Sequence, residues 1–164
     1  MKRDDPSTKT KPFEIPKRII WRSWKRVAAN NGAPGVDKES IQAFQSRLGG
    51  NLYTLWNRMS SGSYYPKPVR QVLIPKGDGT FRPLEIPTVA DRVAQMAVKE
   101  VLETRMEALF HPWSYGYRPG KNAKQAVARA RQNCWSFDWV VDLDILAFFD
   151  TIDHGLMMRA IEKH

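Results

Sequence analysis

Two strand-like runs flank an Asp-Gly turn near the middle of this chain, and no other feature restricts its fold as much. Val69-Arg-Gln-Val-Leu-Ile74 and Thr80-Phe-Arg-Pro-Leu-Glu-Ile86 bracket Pro75-Lys-Gly-Asp-Gly79. Asp-Gly between alternating runs signals a β-hairpin, because glycine takes the positive φ that such turns need. Pro83 has no N–H for a ladder, which puts the second run at an edge or a bulge. From Lys17 to the hairpin the chain has helical periodicity broken by a loop, and helical patterns resume after it. The chain is therefore expected to be α+β, with one small antiparallel element between helices.

The helical patterns can be bounded. From Lys17 to Asn30 the residues Ile20, Trp24, Val27 and Ala28 fall on one face. Asn30-Asn-Gly-Ala-Pro-Gly35 ends that helix in a loop. Asp37 is positioned to cap a helix through Leu48, and Asn51 a second through Ser60. Thr88-Val-Ala-Asp91 resembles a capping box with Asp in place of Glu. It opens a helix to about Leu109, with Val89, Val93, Met96, Ala97, Val101 and Leu102 expected inward. A further helix is expected from Ala123 to about Asn133, a strand over Trp139–Ile145, and a last helix capped by Asp153. That helix runs to His164 without a stop signal, as in a piece of a longer protein.

Charge sets the class of partner. Twenty-six Lys and Arg against seventeen Asp and Glu give +9, which favours a polyanion such as nucleic acid. Residues 1–26 hold nine basic and three acidic residues, a net of +6. A solvated basic tail would have the same composition. The single cysteine, Cys134, excludes an internal disulfide and is expected as a small apolar filler at a helix end. No signal-peptide h-region opens the chain and no apolar run has the length of a membrane helix, so a soluble, reducing, intracellular setting without membrane contact is expected.

Two groups of residues point to chemistry. Arg70, Lys76 and Arg82 are spaced by six, an even number that favours one face of the hairpin, expected opposite Val72 and Ile74. Three converging cations suit a triphosphate, and such a hairpin is expected to move when no ligand bridges them; a solvated hairpin face is the alternative. Further on, Asp142-Leu-Asp144-Ile-Leu-Ala-Phe-Phe-Asp150 puts carboxylates between apolar residues. An unpaired carboxylate inside a strand is unfavourable, and either a cation such as Mg²⁺ or a salt bridge would relieve Asp144.

Taken in order, these stretches resemble the reverse transcriptases encoded by group II introns, from about Asn30 to His164. Ala33-Pro-Gly-Val-Asp37 is similar to the family's N-terminal extension loop. Pro66-Lys-Pro-Val-Arg70 to Ile74-Pro-Lys76, then Phe81-Arg-Pro-Leu-Glu-Ile-Pro-Thr88 and Asp91-Arg-Val, resemble its first fingers block. Tyr115-Gly-Tyr-Arg-Pro-Gly120 resembles the second, and Trp139 to His154 the block with the first catalytic aspartate. Four blocks in the right order are far more specific than any one.

Residues 1–16, polar, basic and Pro-containing, are expected as a mobile arm; after them the resemblance implies a right-hand polymerase plan: a helical N-terminal extension (17–65), fingers (66–136) and the start of a truncated palm (137–164). It makes Asp144 the catalytic, Mg²⁺-binding aspartate, with the Ile145 carbonyl beside it, and Phe149 the ring under the nucleotide sugar that excludes a 2′-hydroxyl. Arg70, Lys76 and Arg82, with Ile145 and Phe149, would hold the incoming dNTP. Ala33, Pro34 and Gly35, and Arg118, would lie at the template RNA. The implied activity is RNA-directed DNA polymerisation by a two-metal Mg²⁺ mechanism on an RNA template and DNA primer, together with intron RNA binding in a bacterial cytoplasmic ribonucleoprotein. The Tyr-Ala-Asp-Asp turn that supplies the other carboxylates does not occur in this sequence, so this stretch alone is expected to be inactive and to offer an open strand edge for self-association. Leu146-Ala147 stands in place of Lys-Gly, Glu85 in place of Gly, and Thr151 in place of a common Asn. The alternatives are a non-catalytic RNA-binding maturase module, or the reverse transcriptase of a diversity-generating or CRISPR-linked element.

Overall fold

A computed structural model describes residues 11–77 and 79–163. Residues 1–10, most of the expected basic arm, lie outside the described residues, as do Asp78 of the expected turn and His164. The elements run α1 (Lys17–Ala29), α2 (Ile41–Ser46), α3 (Leu48–Ser61), β1 (Arg70–Pro75), β2 (Phe81–Ile86), α4 (Val89–Met106), a 3₁₀ turn (Glu107–Leu109), α5 (Ala123–Cys134), α6 (Phe148–Thr151) and α7 (His154–Lys163). The α+β reading holds: a helical N-terminal region, a two-stranded antiparallel hairpin, then helices. The chain divides into two compact units, residues 1–102 and 103–164.

The first unit is built on an apolar core. Ile20, Trp24 and Val27 of α1 meet Ile41 and Phe44 of α2, Leu52 and Leu55 of α3, and Val89, Val93, Ala94 and Ala97 of α4. Trp24 stacks on Phe44 with centroids 5.1 Å apart. Burying each large side chain of this set contributes about 1.5–3 kcal/mol. The expected inward face of α4 is correct except at Val101, which is exposed.

Two expected helix starts are corrected. Ser40, not Asp37, caps α2, its hydroxyl accepting from the Ala43 N–H at 3.1 Å. Asp37 instead accepts from the Glu39 N–H and pairs with Lys67 at 3.2 Å, in a turn where Lys38 takes a φ of 58°. Asn51 lies inside α3, and its side-chain amide donates to the Phe44 carbonyl at 2.9 Å. That bond satisfies a terminal carbonyl of α2, and α3 starts four residues earlier than expected, at Leu48, running through Gly49-Gly50 despite their poor helix propensity.

The hairpin pairs Arg70 with Ile86, Val72 with Leu84 and Ile74 with Arg82. Its turn closes through Lys76 N–H to Thr80 at 2.7 Å, with Gly79 at a φ of 81°.

The second unit has no fully buried residue among its described ones; the Arg118 side chain, 9% exposed, is well covered. Local devices define it instead. Asn122 and Gln125 form a reciprocal capping box on α5, and Asp153 accepts from the Leu156 N–H at 2.9 Å to cap α7, as expected. The strand expected over Trp139–Ile145 is not formed. A strand needs a partner ladder, and among the described residues no second strand lies beside this one. Cys134 does end α5, but it is exposed rather than filling a gap. Among the described residues no helix is long and apolar enough to cross a membrane.

Candidate functional site

Cross-strand pairing decides where the hairpin cations lie. Paired residues share a face, and so do residues two apart. Arg70 and Arg82 therefore share a face, since Arg82 pairs with Ile74, four residues along β1 from Arg70. The same alternation puts Val72, Ile74, Leu84 and Ile86 on that face too. The expectation that the cations oppose Val72 and Ile74 is thus corrected: the arginines rise from an apolar strip. Four residues of strand separate them by about 13 Å along the hairpin. Lys76 lies beyond the paired residues, in the turn. Glu85 pairs with Gln71 on the other face and does not neutralise this one. Arg70 is half-buried, and its Nε–H has no hydrogen-bond partner among the described residues. A buried donor left open is unfavourable until an acceptor arrives.

The hairpin is clamped at its root by a cluster of which the sequence pointed only to Thr88 and Asp91. Asp91 is 4% exposed, at the start of α4. Its carboxylate accepts from the Thr88 hydroxyl at 2.6 Å, the Tyr64 hydroxyl, and the Lys67 backbone N–H at 3.4 Å. Thr88 Oγ1 accepts in turn from the Asp91 N–H at 3.1 Å. This is half a capping box: the acidic residue turns to side chains rather than to the Thr88 N–H. Burial, and then the bond to Asp91, push the Tyr64 phenol well above its ordinary range. Tyr64 lies twenty-seven residues from Asp91 and carried no local signal.

The Ala33-Pro34-Gly35 loop docks at the same root. The Ala33 carbonyl accepts from Arg92 at 2.9 Å. Gly35 is buried, and a Cβ there would come within 2.7 Å of the Thr88 backbone. Its small size is therefore required by packing against the entry to α4.

The remaining residues lie in the second unit. Asp144 and Ile145 sit on an exposed stretch without regular structure that leads into α6. Phe149 is 86% exposed, with its ring edge-to-face against Phe148 at 5.3 Å. Ala147, between them, has φ 48° and ψ 42°. That left-handed conformation suits glycine, the residue the resemblance leads one to expect there. The Asp144 carboxylate and the Ile145 carbonyl are oxygens of the kind Mg²⁺ takes, and Mg²⁺ often uses one or two carboxylates with waters and phosphates. They fit part of a coordination shell. Among the described residues no three His, Cys, Asp or Glu gather where they could hold a metal, and a two-metal centre needs more carboxylates than these.

Arg118 has an internal task. Its Nε and Nη2 donate to Glu107 at 3.0 and 2.7 Å, and Nη1 donates to the His111 and Ser114 carbonyls at 2.7 and 2.9 Å. The guanidinium also lies over Phe110, and hydrogen bonding to it lowers the Glu107 pKa. With its donors engaged inside the unit, Arg118 shapes the Tyr115–Gly120 loop and has little left to offer a template.

A family model described as reverse transcriptase (RNA-dependent DNA polymerase) matches residues 74–164. Protein YkfC of Escherichia coli is 37% identical over 135 residues, covering 79% of this chain and 35% of that protein. The group II intron-encoded protein LtrA of Lactococcus lactis is 29% identical over 161 residues, covering 96% of this chain and 26% of that protein. Nuclear intron maturase 1 of Arabidopsis thaliana is 27% identical over 131 residues, covering 76% and 18%. The chain spans about a third or less of the length of these curated relatives.

Proposed function

The chain belongs to the reverse transcriptase family, among the group II intron-encoded reverse transcriptases and maturases, and from that premise we propose that it forms the N-terminal extension (17–65), fingers (66–136) and first palm segment (137–164) of an RNA-directed DNA polymerase. Arg70, Lys76 and Arg82 hold the triphosphate of an incoming dNTP, Asp144 with the Ile145 carbonyl takes a catalytic Mg²⁺, and Phe149 lies under the sugar. Ala33, Pro34 and Gly35, braced against the hairpin root, line the path of the template RNA. In the reaction the primer 3′-oxygen forms a bond to the α-phosphorus while the bond from that phosphorus to the bridging oxygen breaks and pyrophosphate leaves; Mg²⁺, when bound, would stabilise the attacking and leaving oxygens. Asp144 is one carboxylate of the several such a centre needs, so the chain acts as part of a complete polymerase.

The observation that carries this reading is the hairpin register. It leaves Arg70 and Arg82 on one face, with Glu85 on the other and an open donor on Arg70. A fork that binds phosphate bidentately matches such a face better than a carboxylate-laced surface would.

The test is Arg82→Ala in a complete polymerase that carries this segment. Loss of a charged hydrogen bond of roughly 1.5–3 kcal/mol predicts a ten- to hundredfold loss in kcat/KM for dNTP, with RNA affinity unchanged. Weakened RNA binding with intact dNTP kinetics would assign the hairpin to the template instead.

A further inference from the structure

One face of the first unit, remote in sequence from the hairpin, has features the polymerase reading does not use. Lys17, Trp21 and Lys25 recur every four residues along α1, which places them in one stripe. Tyr53 and Trp56 of α3 lie beside that stripe, their rings 5.8 Å apart and tilted by 44°. Trp21, Tyr53 and Trp56 line a recess of about 240 Å³ together with Lys17 and Gly49. A Cβ built on Gly49 meets nothing within 4 Å, so the missing side chain leaves the recess open. Trp21 is 46% and Tyr53 56% exposed, although both are large rings that a folded chain usually covers.

Cations surround these rings. Lys11 lies 3.7 Å and Lys17 4.4 Å from the Trp56 centroid, and Lys25 5.5 Å from that of Trp21. The Trp56 indole N–H donates to the Ile15 carbonyl at 2.7 Å, which fixes that ring before any ligand arrives. α1 and α3 together carry six Lys and Arg and no Asp or Glu, whereas α4 carries three of each sign. A solvated helix surface has mixed charge, as α4 does. Exposed rings on a carboxylate-free background are the arrangement on which bases stack while lysines meet the phosphates between them.

We infer that the Trp21–Tyr53–Trp56 recess is a stacking site for an unpaired base of single-stranded RNA, made of residues that the polymerase reading does not use. The inference leans on the proposed function only in taking RNA as the polyanion. A duplex keeps its bases stacked on one another and cannot offer one to the recess, whereas loops, bulges and ends can. Lys17 and Lys25 lie one helical turn to either side of Trp21, where the flanking phosphates of an inserted nucleotide would run.

The experiment measures fluorescence anisotropy of the whole 164-residue chain with end-labelled oligouridine, and with a short blunt RNA duplex, across a salt series. The expected result is tighter binding of the single strand. Trp21→Ala and Tyr53→Ala each weaken it by about tenfold, the loss of one base–aromatic stack. Duplex affinity and the salt slope stay as they were, because no phosphate contact is removed. Trp21→Phe restores most of the loss. Tyr53→Ala, at an exposed ring, keeps the test decisive if Trp21→Ala disturbs the helix. Wild-type affinity in both variants, or equal losses for single strand and duplex, overturns the stacking site. Failure of the chain to bind either RNA overturns the RNA partner altogether, while dNTP kinetics in Arg82→Ala report on the hairpin alone.

Discussion

The two units of this protein are held together by different means. The first buries eleven apolar side chains drawn from four helices. The second buries none among its described residues and is shaped by caps, turns and one arginine. Both are mainly helical, and both have amphipathic helices, so the difference is not one of propensity. α1, α2, α3 and α4 bring apolar faces onto one another. In the second unit Trp139, Val140, Val141, Leu143, Ile145, Leu146 and Phe149 remain exposed. Local hydrogen bonding can therefore set the path of a chain, including a capped helix, without making a core.

Amide hydrogen exchange would break this comparison most directly. Backbone N–H groups in the middle of α1, α3 and α4 should exchange at least about a thousandfold more slowly than those of α5 and α7, because a core opens only by global unfolding and a capped helix frays. Equal protection in both units would mean that the second has stability the caps do not account for.

A substitution in the first unit sharpens the same contrast. Gly35→Ala forces a Cβ against the Thr88 backbone at 2.7 Å, and backbone cannot swing aside as a flexible side chain does. A loss of about 1–3 kcal/mol in chemical denaturation is expected, the usual cost of overpacking. Protection in α5 should be unchanged. Wild-type stability would show that the loop can lift off the hairpin root at no cost.

The smallest effect belongs to the second unit. Ala147→Gly relieves a left-handed residue and should stabilise the turn into α6 by about 1 kcal/mol, seen as slower exchange at the Asp150 and Thr151 amides, which both bond to the Ala147 carbonyl. Faster exchange there would show that the flexibility glycine adds outweighs the strain it removes.

What could be read in the sequence follows the same division. The hairpin, the extent of α1, the opening of α4 and the cap of α7 rest on local rules, and local rules are visible in sequence. The start of α3 depends on the bond from the Asn51 amide to the Phe44 carbonyl, which makes a residue suited to a cap an interior one, whereas the start of α2 is a local choice between two cap-forming residues, Asp37 and Ser40, that Ser40 takes. The strand expected over Trp139–Ile145 has the right residues but no neighbour, and pairing is not a property of one segment. The hairpin face was misjudged although the spacing already held the answer: Arg70, Val72 and Ile74 differ by even numbers and so must share a side. Residue context singles out Asp144 but does not distinguish a metal ligand from a salt-bridged carboxylate, so the roles proposed for Asp144 and Phe149 rest on the resemblance.

The clamp at Asp91 has a mechanical meaning. One leg of the hairpin is tied there through the Lys67 N–H, and the other runs directly into the Thr88 cap. Both legs are pinned at one end, and the far end carries Lys76. Six residues of strand make an arm about 20 Å long. A pivot of about 10° at the root sweeps the tip through about 3 Å, enough to make or break a charged hydrogen bond. Any pivot of the hairpin would turn about the buried carboxylate, whose bonds to Tyr64 and Thr88 would resist it.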